Sequence, residues 1–137
     1  MKEGQHTFRF DTFGDEAFWG DALQLHKAIV AIGFLIIFLV YKENTFASAT
    51  IEIAPEQKVI STGLYALVRH PMYMGALLLF VGISLSLGSW WGLFVFLLFI
   101  PALVWRMFDE EHFLAKNLPG YSEYLNKVKY RLIPGVW

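Results

Sequence analysis

The sequence predicts an all-α, integral-membrane helical protein. It would have about three transmembrane helices, two of them in a tight helical hairpin, and a short helical cytoplasmic C-terminal tail. Hydrophobic residues make up 56% of the 137 residues and charged residues 17%, against roughly 45–50% and about 25% in ordinary soluble domains. No charged residue falls between Pro71 and Trp105. A second apolar stretch runs from Ala28 to Tyr41. The net charge of −1 provides no global field to recruit nucleic acid. With no cysteine in the chain, a disulfide framework, a thiolate metal site and a thiol nucleophile are excluded.

Residues 1–27 differ in composition from the rest. Asp11, Asp15, Glu16 and Asp21 stand beside Phe8, Phe10, Phe13, Phe18 and Trp19, and a short amphipathic helix is expected between Ala17 and Leu25. This atypical acidic, aromatic extension precedes a membrane domain over residues 28–137. The first span, Ala28–Tyr41, is short for a bilayer. Extending it back to Leu23 takes in Lys27, whose ammonium can snorkel to a headgroup. It does not read as a secretory signal, because the preceding region is acidic and no small-residue cleavage pattern follows.

The loop after the first span contains the alternating Ile51-Glu52-Ile53, which suggests a brief extended piece. The charge-free run from Pro71 to Trp105 would measure roughly 52 Å as one helix, far more than a ~30 Å hydrocarbon core. It must therefore break. Leu87-Gly88-Ser89 is the natural point, giving helices over about Pro71–Leu87 and Ser89–Trp105. Trp90, Trp91 and Trp105 fall where interfacial indoles belong. Three spans place Lys42, Lys58, Arg69, Arg106, Lys116, Lys127, Lys129 and Arg131 on one side, which is 8 of the 11 basic residues. By the positive-inside rule that side is cytoplasmic.

Two polar clusters flank the hairpin. Pro71 suits the first turn of a helix, so Arg69 and His70 sit at its mouth, where free N–H groups can hold a carboxylate or phosphate. Headgroup anchoring is the bland alternative. The second cluster is Arg106, Asp109, Glu110, Glu111 and His112, where Arg106 can pair with Glu110 one turn on. The plain reading here is a solvated helix start with intrahelical ion pairs. The hairpin returns both clusters to one membrane face. A cation site beside an anion site suits a zwitterionic ligand such as an amino acid. Metal binding is not expected, since His70 and His112 are separated by the whole hairpin and no HxxxH or HExxH occurs. The tail breaks at Leu118-Pro119-Gly120-Tyr121, and a short helix is expected over Ser122–Val128. Tyr121, Tyr124, Tyr130 and Trp137 are fit to line a pocket or the membrane interface.

The order of these pieces resembles the isoprenylcysteine carboxyl methyltransferase family, bacterial branch, within the wider group of integral-membrane phospholipid methyltransferases. The resemblance is carried by Gly63-Leu64-Tyr65, by Val68-Arg69-His70-Pro71-Met72-Tyr73-Met74-Gly75, by the hairpin turn with Trp90-Trp91, and by Arg106 with Glu110-Glu111. Leu118-Pro119-Gly120-Tyr121 with Tyr124, then Val128–Pro134 and Trp137, complete it. Glu43–Ser48 and Gln57–Ile60 extend it upstream. It implies an S-adenosylmethionine-dependent methyltransferase embedded in a bacterial inner membrane, with its site toward the cytoplasm. Carried over, Arg69, His70, Tyr73, Glu110, Glu111 and Tyr121 would bind the cofactor, one of the glutamates taking its ammonium. Arg106, Glu110 and Arg131 would serve catalysis, the arginines holding the cofactor carboxylate or an acidic acceptor.

The implied acceptor is a prenylated or lipid-like carboxylate arriving from the surrounding membrane lipids. An amine on a phospholipid headgroup and a non-catalytic binding module are the alternatives. Family members usually carry further helices before the first span. In their place stand residues 1–27, so tunnel walls for a lipid would be absent or supplied by a second copy in a homo-oligomer. Gly63-Leu64 also stands where Gly-Pro is common.

Overall fold

The computed structural model describes residues 24–46, 53 and 56–137, and all regular structure among them is helical. The expected helix over residues 17–25 and the extended piece at 51–53 fall largely outside the described residues. The elements are α1 (Leu25–Glu43), a 3-10 turn (Gly63–Ala66), α2 (Pro71–Ser86), α3 (Trp90–Asn117) and α4 (Tyr121–Lys127).

α1 is 19 residues long and α3 is 28, and both are long and apolar enough to cross a membrane. α2 is apolar but shorter, at 16 residues. It starts with Pro71 in its first turn, where the missing N–H leaves no bond unmade. The turn to α3 falls at Leu87-Gly88-Ser89. Gly88 has φ +60°, a conformation that a Cβ would strain. Ser89 caps α3, its hydroxyl accepting the Gly92 N–H at 3.1 Å.

α3 does not end near Trp105, where the apolar run stops. It continues to Asn117, because Arg106 to Lys116 contains neither Gly nor Pro and favours helix throughout. Leu118-Pro119-Gly120 then stops it. The two glutamates therefore lie inside a long helix rather than at a helix start. α4 begins after Gly120, at φ +84°.

The helices pack in two ways. α1 and α2 approach almost backbone to backbone. A Cβ on Gly75 would lie 2.8 Å from Ile37 Cγ1 and 3.1 Å from the Gly33 carbonyl, and one on Gly82 would lie 2.7 Å from Val30 Cγ2. Small residues at such a seam let apolar helices gain dispersion contacts where no hydrophobic force drives them together. α2 and α3 meet far less closely. Side chains fill the space between them, including Phe80 stacked on Phe96 at 5.8 Å between ring centres.

The apolar faces of α1 and α3 point outward. Phe38, Trp91 and Trp105 are 64%, 78% and 76% exposed, as expected of helices whose solvent is lipid. The packed core lies instead at the polar end. There Leu118, Tyr121, Tyr124 and Val128 are buried together, with Val59, Leu114 and Leu125 against them.

Candidate functional site

Two successive N–H groups ahead of α2 tie the tail to the helix mouth. Arg69 N–H donates to the Tyr130 carbonyl and His70 N–H to the Arg131 carbonyl, both at 2.9 Å. The Arg69 side chain completes the tie. Its Nε donates to the Val128 carbonyl at 2.7 Å and its Nη2 to the Leu125 carbonyl at 2.8 Å, the open carbonyls at the end of α4. Its Nη1 reaches Glu111 at 3.2 Å.

Glu111 is the hub of this end of the molecule. Its side chain is 9% exposed, and its carboxylate also meets His70 Nε2 at 3.3 Å and Arg131 Nε at 3.2 Å. A buried carboxylate is tolerable only with such partners. Arg131 is held in turn between aromatic faces, 4.9 Å from the centre of the Phe108 ring and 5.7 Å from that of Trp137. This cluster joins α2, α3 and the tail.

Glu110 faces a different place. Its Oε2 accepts the Tyr73 hydroxyl at 2.9 Å, and that hydroxyl accepts Arg106 Nε at 2.9 Å. Glu110 lines a cleft at the mouth of α2 together with Arg69, His70, Tyr73 and Tyr121. Arg106, Glu111 and Arg131 do not line it. Glu111 and Arg131 stand behind the wall, while Arg106 borders a separate groove with Phe99, Leu103, Trp105 and Asp109 on the outer face of α3. The first turn of α2 opens on the cleft, and no side chain caps it.

Several lining residues carry no site assignment from the sequence: Asn44, Gln57, Lys58 and Tyr65, while Tyr124 lines the cleft as its aromatic character suggested. Asn44 Nδ2 donates to the Tyr65 hydroxyl at 3.1 Å, and the Tyr124 hydroxyl donates to the Tyr65 carbonyl at 2.8 Å. Burial pushes the Tyr124 and Tyr121 phenols above their ordinary range, and the nearby Glu111 carboxylate acts in the same direction on both. Both stay protonated donors at any physiological pH. Polar residues on either side of the first loop were the available signal for this wall, but their convergence depends on where that loop runs.

The chain is 36% identical over 91 residues to a Delta(14)-sterol reductase of Mus musculus, a match covering 64% of this chain and 22% of that protein. It is 25% identical over 114 residues to the nickel-cobalt-cadmium resistance protein NccN of Alcaligenes xylosoxydans xylosoxydans, covering 80% of this chain and 51% of that one. The chain thus spans about a fifth and about half of the lengths of these relatives. No solved structure matches it. The phospholipid methyltransferase family model matches residues 23–119, a range that runs from α1 through Glu110 and Glu111 to Pro119 and stops short of Tyr121 and Tyr124 of the cleft, and on that match the chain belongs to the phospholipid methyltransferase family.

Proposed function

We propose that this chain is a membrane methyltransferase that uses S-adenosylmethionine and methylates a lipid-like acceptor. One observation carries the reading. The chain Arg106, Tyr73, Glu110, with both links at 2.9 Å, joins a polar cleft to a groove on the apolar face of α3. A water-borne cofactor and a membrane-borne acceptor would meet across it.

The residues of the cleft fit the cofactor in kind. Glu110 offers an anion to an ammonium group. Val59, Ile60, Leu114, Leu118 and Tyr121 offer apolar and aromatic wall for a nucleoside. The enclosed space is about 120 Å³, below the ~300 Å³ that encloses a drug-sized ligand, so part of the cofactor would rest in the open mouth. When bound, the cofactor supplies an activated methyl on a sulfonium, and what remains for the protein is in-line positioning. Glu110 orients the amino-acid end, His70 and Tyr73 set the wall at the mouth of α2, and Arg106 holds an anionic group of the acceptor. Arg69, Glu111 and Arg131 act by holding His70 and the tail in place.

A carboxylate acceptor is already ionised at neutral pH and needs no base. The family match favours keeping a second acceptor in view, a phospholipid amine. That amine must lose a proton, and Glu110 would be its base. The rate would then rise with pH, whereas a carboxylate acceptor predicts little dependence above about pH 6. The distribution of basic residues supports a cleft facing the cytoplasm. A cysteine placed at Ser61 should react with an impermeant thiol reagent only after the membrane is opened.

The deciding experiment is transfer of labelled methyl from S-adenosylmethionine into membrane lipid extracts, with the product identified. A labelled lipid is expected. Cofactor binding without any labelled product would mark a binding module, and no binding would overturn the reading altogether.

A further inference from the structure

The aromatic residues of the tail separate in the structure. Tyr121 and Tyr124 are buried and line the cleft. Tyr130 is exposed, and beyond it Ile133 and Val136 are 53% and 76% exposed. Residues 132–137 form a turn that closes on itself. The Trp137 carbonyl accepts the Leu132 and Ile133 N–H groups, and the Ile133 carbonyl accepts those of Val136 and Trp137, at 2.9–3.1 Å. With these backbone groups paired internally, the turn can enter a headgroup layer at small cost.

Its depth is set at two places. The Trp137 ring meets Phe108, with 6.3 Å between ring centres. Phe108 lies only about 4.5 Å of helix rise past Trp105, where the charge-free run stops. The Tyr130 and Arg131 carbonyls take the N–H groups of Arg69 and His70, just ahead of the apolar α2. The exposed apolar turn therefore stands level with lipid headgroups. The charge beside it is mostly positive. Lys127 and Lys129 are exposed and make no ion pair among the described residues. Glu123, one turn earlier in α4, is the one acidic side chain of residues 121–137.

We propose that residues 127–137 are a docking surface for an anionic lipid leaflet. Ile133, Val136 and the Tyr130 ring enter its headgroup layer, and Lys127 and Lys129 meet lipid phosphates. The same segment holds the Arg69 and His70 N–H groups, so lipid contact also steadies the mouth of the cleft. This surface is independent of what the cleft binds.

The test uses the full chain. It lacks cysteine, so Val136→Cys carries a single fluorophore. The labelled protein is placed in bilayers of phosphatidylcholine, alone or mixed equally with phosphatidylglycerol, with headgroup spin-labelled lipid as quencher. Each lysine near an anionic surface favours contact about fivefold, and two favour it about thirtyfold. Strong quenching is expected in the anionic bilayer alone, weakening as salt is added. Lys127→Gln combined with Lys129→Gln should remove that dependence while the protein melts like the parent. A fluorophore at Lys116→Cys, in the last turn of α3, should show no dependence on lipid charge. Amide hydrogen exchange on the unsubstituted chain carries the test if Val136→Cys does not fold. The Arg69 and His70 amides should exchange more slowly in the anionic bilayer. Equal quenching in the two bilayers overturns the docking surface, and equal exchange overturns its hold on the cleft. Shielding of the fluorophore that persists in detergent and grows with protein concentration would put a second copy of the chain on this face and also overturn the proposal.

Discussion

Glu110 and Glu111 are neighbours in one helix and live in different surroundings. Glu111 turns inward, where Arg69, His70 and Arg131 enclose it. Glu110 turns to the cleft and meets the hydroxyl of Tyr73. Successive helical residues point about 100° apart, so a pair of identical acids at a junction serves two regions at once. One region holds the polar end together, and the other is open to a ligand. Chemistry that looks duplicated in the sequence is divided in the structure.

Substitution should separate the two. Glu111→Ala is the largest expected effect. It strands Arg69 and Arg131 without their carboxylate, and removing one partner of a buried ion pair costs about 3–5 kcal/mol. The measurement is loss of the folded fraction in detergent on heating, followed by near-ultraviolet circular dichroism. A variant that melts like the parent would place Glu111 outside any structural role.

Glu110→Gln should do the reverse. Melting should stay within about 0.5 kcal/mol of the parent, while cofactor affinity falls by roughly 10- to 150-fold, the equivalent of a charge-assisted contact. Equal binding by the two proteins would erase the contrast.

Arg131→Lys sharpens it at a smaller scale. Lysine keeps the charge but loses the planar stacking between Phe108 and Trp137, at a cost of about 1 kcal/mol, with cofactor affinity unchanged. A drop in turnover at unchanged stability would instead put Arg131 in contact with substrate. The smallest effect is expected for Tyr73→Phe, which cuts the link between Arg106 and Glu110 and should weaken cofactor binding about two- to fivefold.

Much of this arrangement is legible in the sequence. Pro71 announces the start of α2, Leu87-Gly88-Ser89 the turn, and the charge-free run the helices themselves, because these depend on local chemistry. The return of the Arg69-His70 pair to the vicinity of the two glutamates follows from hairpin geometry alone. The division of labour between Glu110 and Glu111 is not legible, since it depends on residues 128–131 folding back against the mouth of α2. That contact is made by backbone carbonyls, which carry no residue signature. The roles of Asn44 and Tyr65 are hidden for a similar reason: 21 positions separate them, and only the path of the intervening loop brings them together. The length of α3 was legible in principle, because the polar stretch after Trp105 has helical propensity. The end of hydrophobicity simply does not mark the end of a helix.

The short span of α2 has a consequence for the bilayer. Its 16 residues rise only about 24 Å, some 6 Å less than the hydrocarbon thickness, while α1 beside it is long enough to cross. The close seam at Gly33, Gly75 and Gly82 packs α2 against α1, and no shift of α2 along it would add to its length. Where α2 faces lipid, local thinning with headgroups drawn inward is one way to meet that shortfall, beside snorkelling of flanking side chains and association with another span. A reactive group carried near a lipid's polar end would be lowered toward the protein by the membrane's own elasticity, and thinner membranes would present it at less cost than thicker ones.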